Sequence, residues 1–363
     1  MVTRCSAFAA SLLVLAGCTA ATGQAAAGQD IAVRQPADPS RPPATWAAPV
    51  GSPVNAQVTL TAPLYDAPGA RVPVIVTVHN PPARLPADSL EATASDSSRV
   101  TDCGDTWENP VRHTISRTCY LIAPAGITHI ELSGRAHWAV ADGSHVSLTS
   151  PAVHFRTSGP ASAAVDPAAS ARIESCGNPG PAVWLTFDDF VPSVEVAHSL
   201  VDVLGRNHAR GRFFLNHVSP QVRRILESAG HIIEDHTRDH LAMNDLTDSQ
   251  IHEQVRGGPP TTAGAPLLLR PPYGAGAEAA RVVDLVAEDG YATCRWTVDT
   301  RDWAGSTPDQ MAEAVRYGNS FTPPVSAGGV ILMHANHFTP EKLQAVIDAV
   351  RGRGLRMDAG AGG

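Results

Sequence analysis

Between residues 56 and 157 the hydrophobic positions recur every second residue in short stretches. Val58 and Leu60 do so, as do Val74, Val76 and Val78, then Ile130 and Leu132, Val146 and Leu148, and Val153 and Phe155. That spacing predicts half-buried β-strands. Turn-forming runs, Asp66-Ala67-Pro68-Gly69 and Ala141-Asp142-Gly143-Ser144, separate them. With no helical period in this region, it reads as a small all-β sandwich, Ig-like in class. Its histidines (His79, His113, His129, His137, His145, His154) are scattered and read as surface or strand residues.

Further along, the pattern changes. Ala182 to Phe187, Phe213 to Leu215, Leu267 to Leu269 and Val330 to Met333 are compact apolar runs that predict strands. Val222 to Ala229, Ala277 to Glu288 and Glu341 to Arg351 have helical spacing, and Gly230 and Gly290 stop the first two. Strands alternating with helices predict a parallel sheet or barrel, with its chemistry at the C-terminal ends of the strands. Two stretches rich in Ala, Pro, Gly and Ser follow neither period, and they read as linkers over 19–55 and 158–172. The expected division is an N-terminal signal (1–18), a linker (19–55), an all-β sandwich (56–157), a second linker (158–172) and an α/β domain (173–358).

The first eighteen residues have the pattern of an address. Arg4 precedes the apolar stretch Ala7 to Ala16, which is too short to span a bilayer. It ends in Leu15-Ala16-Gly17-Cys18, which resembles the lipobox of bacterial lipoproteins. The resemblance implies lipidation at Cys18 and an exported protein anchored to the cell membrane, facing the cell wall or periplasm. The alternative is an ordinary signal peptide cleaved near Ala20 or Ala27. Export implies an oxidising compartment. Cys103, Cys119, Cys176 and Cys294 then allow three pairings. The economical one, Cys103–Cys119 with Cys176–Cys294, keeps each bridge within its own domain; four free thiols are the alternative. A net charge of −8 over 363 residues argues against a nucleic-acid partner.

Polar clusters fall at the expected strand ends. Thr186-Phe187-Asp188-Asp189 ends the first, and two adjacent buried carboxylates are costly without a cation. His236-Thr237-Arg238-Asp239-His240 follows, with histidines at i and i+4 that would share one face of a helical turn and grip one metal. One carboxylate with two imidazoles is a catalytic zinc set that leaves a position open. Arg270-Pro271-Pro272-Tyr273-Gly274, Asp299-Thr300-Arg301-Asp302-Trp303 and Leu332-Met333-His334 complete the series.

T-F-D-D, H-T-x-x-H, R-P-P-Y-G, D-T-R-D-W and L-M-H, in that order, resemble the five motifs of the polysaccharide deacetylases, the NodB-homology domains of carbohydrate esterase family four. The resemblance runs from about Cys176 to Met357. It implies a distorted (β/α) barrel and a metal-dependent hydrolase that removes N-acetyl groups from cell-surface polysaccharide, either peptidoglycan or a chitin-like glycan. Asp189, His236 and His240 would bind a divalent metal, Zn²⁺ first. Asp188 would be the general base, paired with Arg270. The backbone N–H of Tyr273 would donate to the oxyanion. His334 would be the general acid, held by Asp302. Trp303 and Leu332 would wall the pocket for the acetyl methyl. The alternatives are an O-acetyl esterase on xylan-type polysaccharide and a non-catalytic glycan-binding lipoprotein.

Two residues depart from the family pattern. Phe190 replaces the glycine that usually follows the aspartate pair and lets the chain turn, and Asp235 replaces an asparagine. His337 reads as a loop histidine and His231 as structural. Asp299 reads as a strand-end hydrogen bonder. His198, His208, His217 and His252 have no partner at ligand spacing.

Overall fold

The computed structural model describes residues 55–358, apart from 64, 83, 97–99, 127–128 and 140–143, together with the backbone of 45–47. The expected signal segment, Cys18 and nearly all of the 19–55 linker lie outside the described residues. Among those described, no helix is long and apolar enough to cross a membrane.

The alternating segments form two sheets. One has the order Thr45–Ala47, Gln57–Thr61, Arg71–His79, Thr114–Ile122 and Val100–Thr101, with Thr106–Asn109 also on Thr114–Ile122. The other runs His145–Thr149, His129–Ala139, Val153–Thr157 and Tyr65–Asp66, with Leu90–Ala94 also on His129–Ala139. Val58, Leu60, Val74, Val76, Ile130, Leu132, Leu148 and Phe155 meet in one core, as inward-facing alternate residues should. Cys103 is bonded to Cys119 within this body, and Cys176 to Cys294 within the α/β body.

Both linker expectations need correction. Thr45–Ala47, inside the stretch expected to be an extended tether, is a strand antiparallel to Gln57–Thr61. The end of the 158–172 segment is the helix Pro167–Glu174. Asp166 caps it by accepting from Ala169 N, and Pro167 occupies the first turn, where its missing N–H costs nothing. Composition alone hid both signals. The residues before that helix are strapped between the two bodies rather than loose. Ser162 N donates to Pro68 O at 2.7 Å, and Ala280 N donates to Ala163 O at 2.9 Å. Gly69, at φ +86°, lies so close that a Cβ there would fall 1.6 Å from Ser162 O.

Other contacts join the bodies directly. Arg71 donates to Ser170 Oγ at 2.8 Å, and Tyr120 Oη donates to Glu174 at 2.9 Å. Asn109 Nδ2 donates to Gly318 O at 2.9 Å and Glu313 at 3.0 Å. Ala67 and Ala70 pack into a core with Met243, Leu246 and Leu269. These buried and part-buried hydrogen bonds and apolar contacts tie the two bodies together.

The α/β body is built on seven parallel strands in the order Ala292–Thr293, Leu268–Leu269, Ile232–Asp235, Gly211–His217, Trp184–Phe190, Val330–His334 and Val298–Asp299. Laid flat, seven strands would set the two edges about 29 Å apart. The two edge strands are consecutive in sequence, and the chain between Thr293 and Val298 spans about 18 Å at most. The sheet must therefore curl towards a barrel. Its strands carry near-continuous apolar runs because helices cover them. Leu185, Phe187, Phe213, Leu215, Ile331 and Met333 pack against Leu200, Leu204, Val346 and Ile347.

Candidate active site

Asp188, Asp189, His236, Arg270, Asp302 and His334 all lie at or just beyond the C-terminal ends of the parallel strands. Strand pairing sets Asp188 opposite His334. His236 N donates to Leu215 O, and Arg270 N donates to Asp235 O, so the ends of neighbouring strands are tied together. Ten non-glycine residues among those described have positive φ, and five of them (Asp189, Thr237, His240, Tyr273, Arg301) lie in these strand-end segments. Backbone in that region costs free energy and concentrates where a site demands it.

Successive residues of a regular strand point to opposite faces. Asp188 and Asp189 nevertheless approach the same atom, His236 Nε2, at 3.8 and 3.7 Å. The cause is local. Asp189 has φ +74°, and the register shifts between Asp189 and Phe190, as at a β-bulge, which re-aims a side chain. The glycine expectation is thereby corrected: the left-handed residue is Asp189, so position 190 needs no glycine. Phe190 is 41% exposed.

Asp189, His236 and His240 each present a ligand atom within 4.8 Å of the others. His240 Nε2 lies 3.1 Å from Asp189 Oδ1. The helical turn expected for 236–240 is absent. Thr237 and His240 are left-handed, and the loop is held by Asp235 Oδ1 accepting from Thr237 N and by Gln254 accepting from Arg238 N and Asp239 N. The rings still meet, with centroids 4.9 Å apart. His236 Nδ1 lies 2.7 Å from Arg270 O, a partner that can only accept. The proton is therefore on Nδ1, and Nε2 keeps its lone pair. Burial pushes the pKa of His236 down to about 4, against the pull of Asp188, so the ring is neutral. Burial opposes the charge of Asp189, but the hydrogen bond from His240 and the positive charge of His334 hold it well below the usual carboxylate range. A carboxylate together with two imidazoles, one of which keeps its Nε2 lone pair free, is the donor set that a zinc-like cation takes, so the residues fit a metal.

On the other side of Asp188 stands Arg270, which is fully buried. Its Nη1 donates to Asp188 Oδ1 at 2.6 Å and to Thr186 Oγ1 at 2.9 Å, and its Nη2 to Arg295 O at 2.6 Å. Asp302 Oδ1 accepts from His334 Nδ1 at 2.9 Å. Burial disfavours the imidazolium of His334, yet the charge and hydrogen bond of Asp302 prevail and raise its pKa to about 9.

The remaining residues singled out from the sequence take these places. Tyr273 has φ +61°. Leu332 is buried and Trp303 half-buried. Asp299 Oδ1 accepts from Arg301 N and from Trp303 Nε1 at 3.3 Å, so it orients the tryptophan. Asp235 is buried beside Gly258, where a Cβ would fall 2.3 Å from its carboxylate; burial raises its pKa to about 8. His337 is exposed. His231 Nδ1 accepts from Gly211 N inside the fold. His252 lies 2.7 Å from Asp289.

Two partners escaped sequence reasoning. Tyr273 Oη lies 3.0 Å from His240 Nδ1, fixing that ring through its far nitrogen. Asn336 Nδ2 donates to Asp189 Oδ2 at 3.0 Å. Neither has a spacing signal; only the tyrosine lies within a motif.

Residues 177–294 match the family model described as polysaccharide deacetylase. A peptidoglycan-N-acetylglucosamine deacetylase of Bacillus cereus is 32% identical over 177 residues, 46% of this chain and 60% of that protein. A chitin deacetylase of Colletotrichum lindemuthianum is 28% identical over 205 residues, covering 51% of this chain and 79% of that protein. A chitooligosaccharide deacetylase of Bradyrhizobium is 27% identical over 176 residues, covering 46% and 76%. Among solved structures, a family 4 carbohydrate esterase from Streptomyces lividans in complex with acetate aligns over 49% of this chain and 91% of its own, with 29% identity and a TM-score of 0.40. The chain thus spans 60% of the length of the Bacillus cereus relative.

Proposed function

We propose that the α/β body is a metal-dependent deacetylase that hydrolyses N-acetyl groups on a polysaccharide such as peptidoglycan or a chitin-like glycan, releasing acetate. The observation that carries this reading is the placement of Asp188. Its Oδ1 is held by Arg270 at 2.6 Å, while its Oδ2 faces the Asp189, His236 and His240 cluster. A carboxylate fixed on one oxygen and facing a metal-ligand set with the other is a general base beside a metal site.

Asp189, His236 and His240 would hold the cation, with Zn²⁺ as the proposed metal. When bound, it supplies polarisation of the acetyl carbonyl and acidification of water. Asp188 takes a proton from the attacking water, and Arg270 keeps the carboxylate oriented. The water oxygen adds to the acetyl carbon. The N–H of Tyr273 donates to the oxygen on which charge develops. His334, charged through Asp302, gives its proton to the sugar nitrogen as the C–N bond breaks. Acetate and a free amine result. Trp303, oriented by Asp299, and Leu332 wall the space for the methyl group. Acetate assays on N-acetylglucosamine oligomers, peptidoglycan and acetylxylan test this reading, with release from the first two expected and ester-only turnover contradicting it. A lipid anchor at Cys18 would place the enzyme at the membrane surface, within reach of such a glycan.

A further inference from the structure

The acceptor shell around Arg270 includes a disulfide that no catalytic role has absorbed. Arg270 Nη2 lies 3.4 Å from Cys294 Sγ and 3.8 Å from Cys176 Sγ. Both cysteines are buried, as is the guanidinium. The strongest acceptor for Nη2 is Arg295 O at 2.6 Å, the carbonyl one residue beyond Cys294. Cys176 Sγ lies 3.2 Å from that same oxygen, and Arg295 N donates to Ile173 O at 2.7 Å. The bridge therefore clamps the short edge segment at 294–295 to the end of the helix Pro167–Glu174, where Arg295 O meets the guanidinium. The opposite end of the same guanidinium holds Asp188. The Arg270 guanidinium carbon also lies 4.0 Å from the centre of the Phe214 ring and 5.8 Å from that of Trp296.

We propose that the Cys176–Cys294 disulfide is a positioning group for catalysis: it fixes the inner end of Arg270, and through Arg270 the orientation of the Asp188 carboxylate. The role rests on the deacetylase reading only for its effect on rate. The physical logic is that a planar guanidinium transmits orientation rigidly from one nitrogen to the other. A buried arginine whose inner acceptors are displaced keeps its charge but loses its fixed angle. Small misplacement of a catalytic group costs rate rather than affinity. Among the described residues, the Cys103–Cys119 bridge, which lies in the N-terminal sheets, is not a partner of Arg270.

The test compares the full chain with Cys176→Ala/Cys294→Ala, Cys176→Ser/Cys294→Ser and, as a control for general bridge loss, Cys103→Ala/Cys119→Ala. Two readouts are taken: the Arg270 side-chain nitrogen signals by NMR, and kcat and KM with bound zinc measured in parallel. The expected result is slow guanidinium rotation for Arg270 in the parent and the control. In both Cys176/Cys294 variants the rotation is released, kcat falls by up to about 10²-fold, and KM and zinc content are unchanged. The serine pair, which restores polar acceptors, loses less than the alanine pair, and it stands in should the alanine pair fail to fold. A parent-like Arg270 signal in a folded bridge-less variant overturns the proposal. So does a loss of kcat matched by the control. Should the parent release no acetate at all, the deacetylase reading falls, while the NMR comparison still decides whether the bridge positions Arg270.

Discussion

Asp302 holds His334 with both carboxylate oxygens: Oδ1 accepts from the ring Nδ1 at 2.9 Å and Oδ2 from the backbone N at 2.6 Å. Ring and backbone are thereby fixed by one buried anion, and the free Nε2 is the nitrogen left to carry the transferable proton. The raised pKa, about 9, sets a sign. His334 is charged below that value, so a step needing the imidazolium is supported up to that range and fails as pH rises through it. A cation at the Asp189 cluster would draw the limb lower. Asp302→Asn removes the stabilising charge, and the alkaline limb of kcat/KM should move to lower pH while the acid limb stays. Movement of the acid limb would assign Asp302 to the base. The same raised pKa stabilises the fold fully below the unfolded value of about 6.5 and is lost as pH climbs towards 9.

Replacing a ligand and replacing the base should give different signatures. His236→Ala leaves Asp189 and His240, too few donors to retain zinc, so metal content and turnover should fall together when both are measured on one preparation.

Asp188→Asn keeps the shape of the side chain and leaves all three proposed ligands in place. It should retain metal and lose about 10²–10⁴ in rate, the range of general-base catalysis. Metal loss equal to that of His236→Ala would mean that the two aspartates have exchanged roles.

The junction between the bodies makes a stability prediction. Asn109 is buried, donates to Gly318 O and Glu313, and accepts from Val111 N and Arg112 N. Asn109→Ala strands those partners and should cost about 1–3 kcal/mol, read as a lowered Tm for one cooperative transition. Two separate transitions, with only the N-terminal sheets affected, would contradict a junction that couples the two bodies.

The strand periods and the strand-end positions of the candidate site side chains were legible because each depends on local pattern. Alternate valines such as Val74, Val76 and Val78 must face one core, and motif residues must lie at strand ends. What could not be read depended on distant chain or on backbone angles. The strand Thr45–Ala47 exists by pairing with Gln57–Thr61, which its Pro-rich surroundings do not announce. The helix Pro167–Glu174 has weak amphipathicity and rests on its Asp166 cap. The loop conformation of His236 to His240 and the left-handed turn at Asp189 are imposed by Gln254 and by the bulge. Asn336 reaches Asp189 across 147 positions of sequence.

Metal dependence of the proposed deacetylation is decided by acetate release from a chitooligosaccharide by the purified chain, measured as prepared, after exhaustive chelation, and after zinc is restored. Release is expected in the first sample, none in the second, and recovery in the third for the parent but not for His236→Ala. Undiminished release from the chelated, metal-free protein would contradict metal dependence.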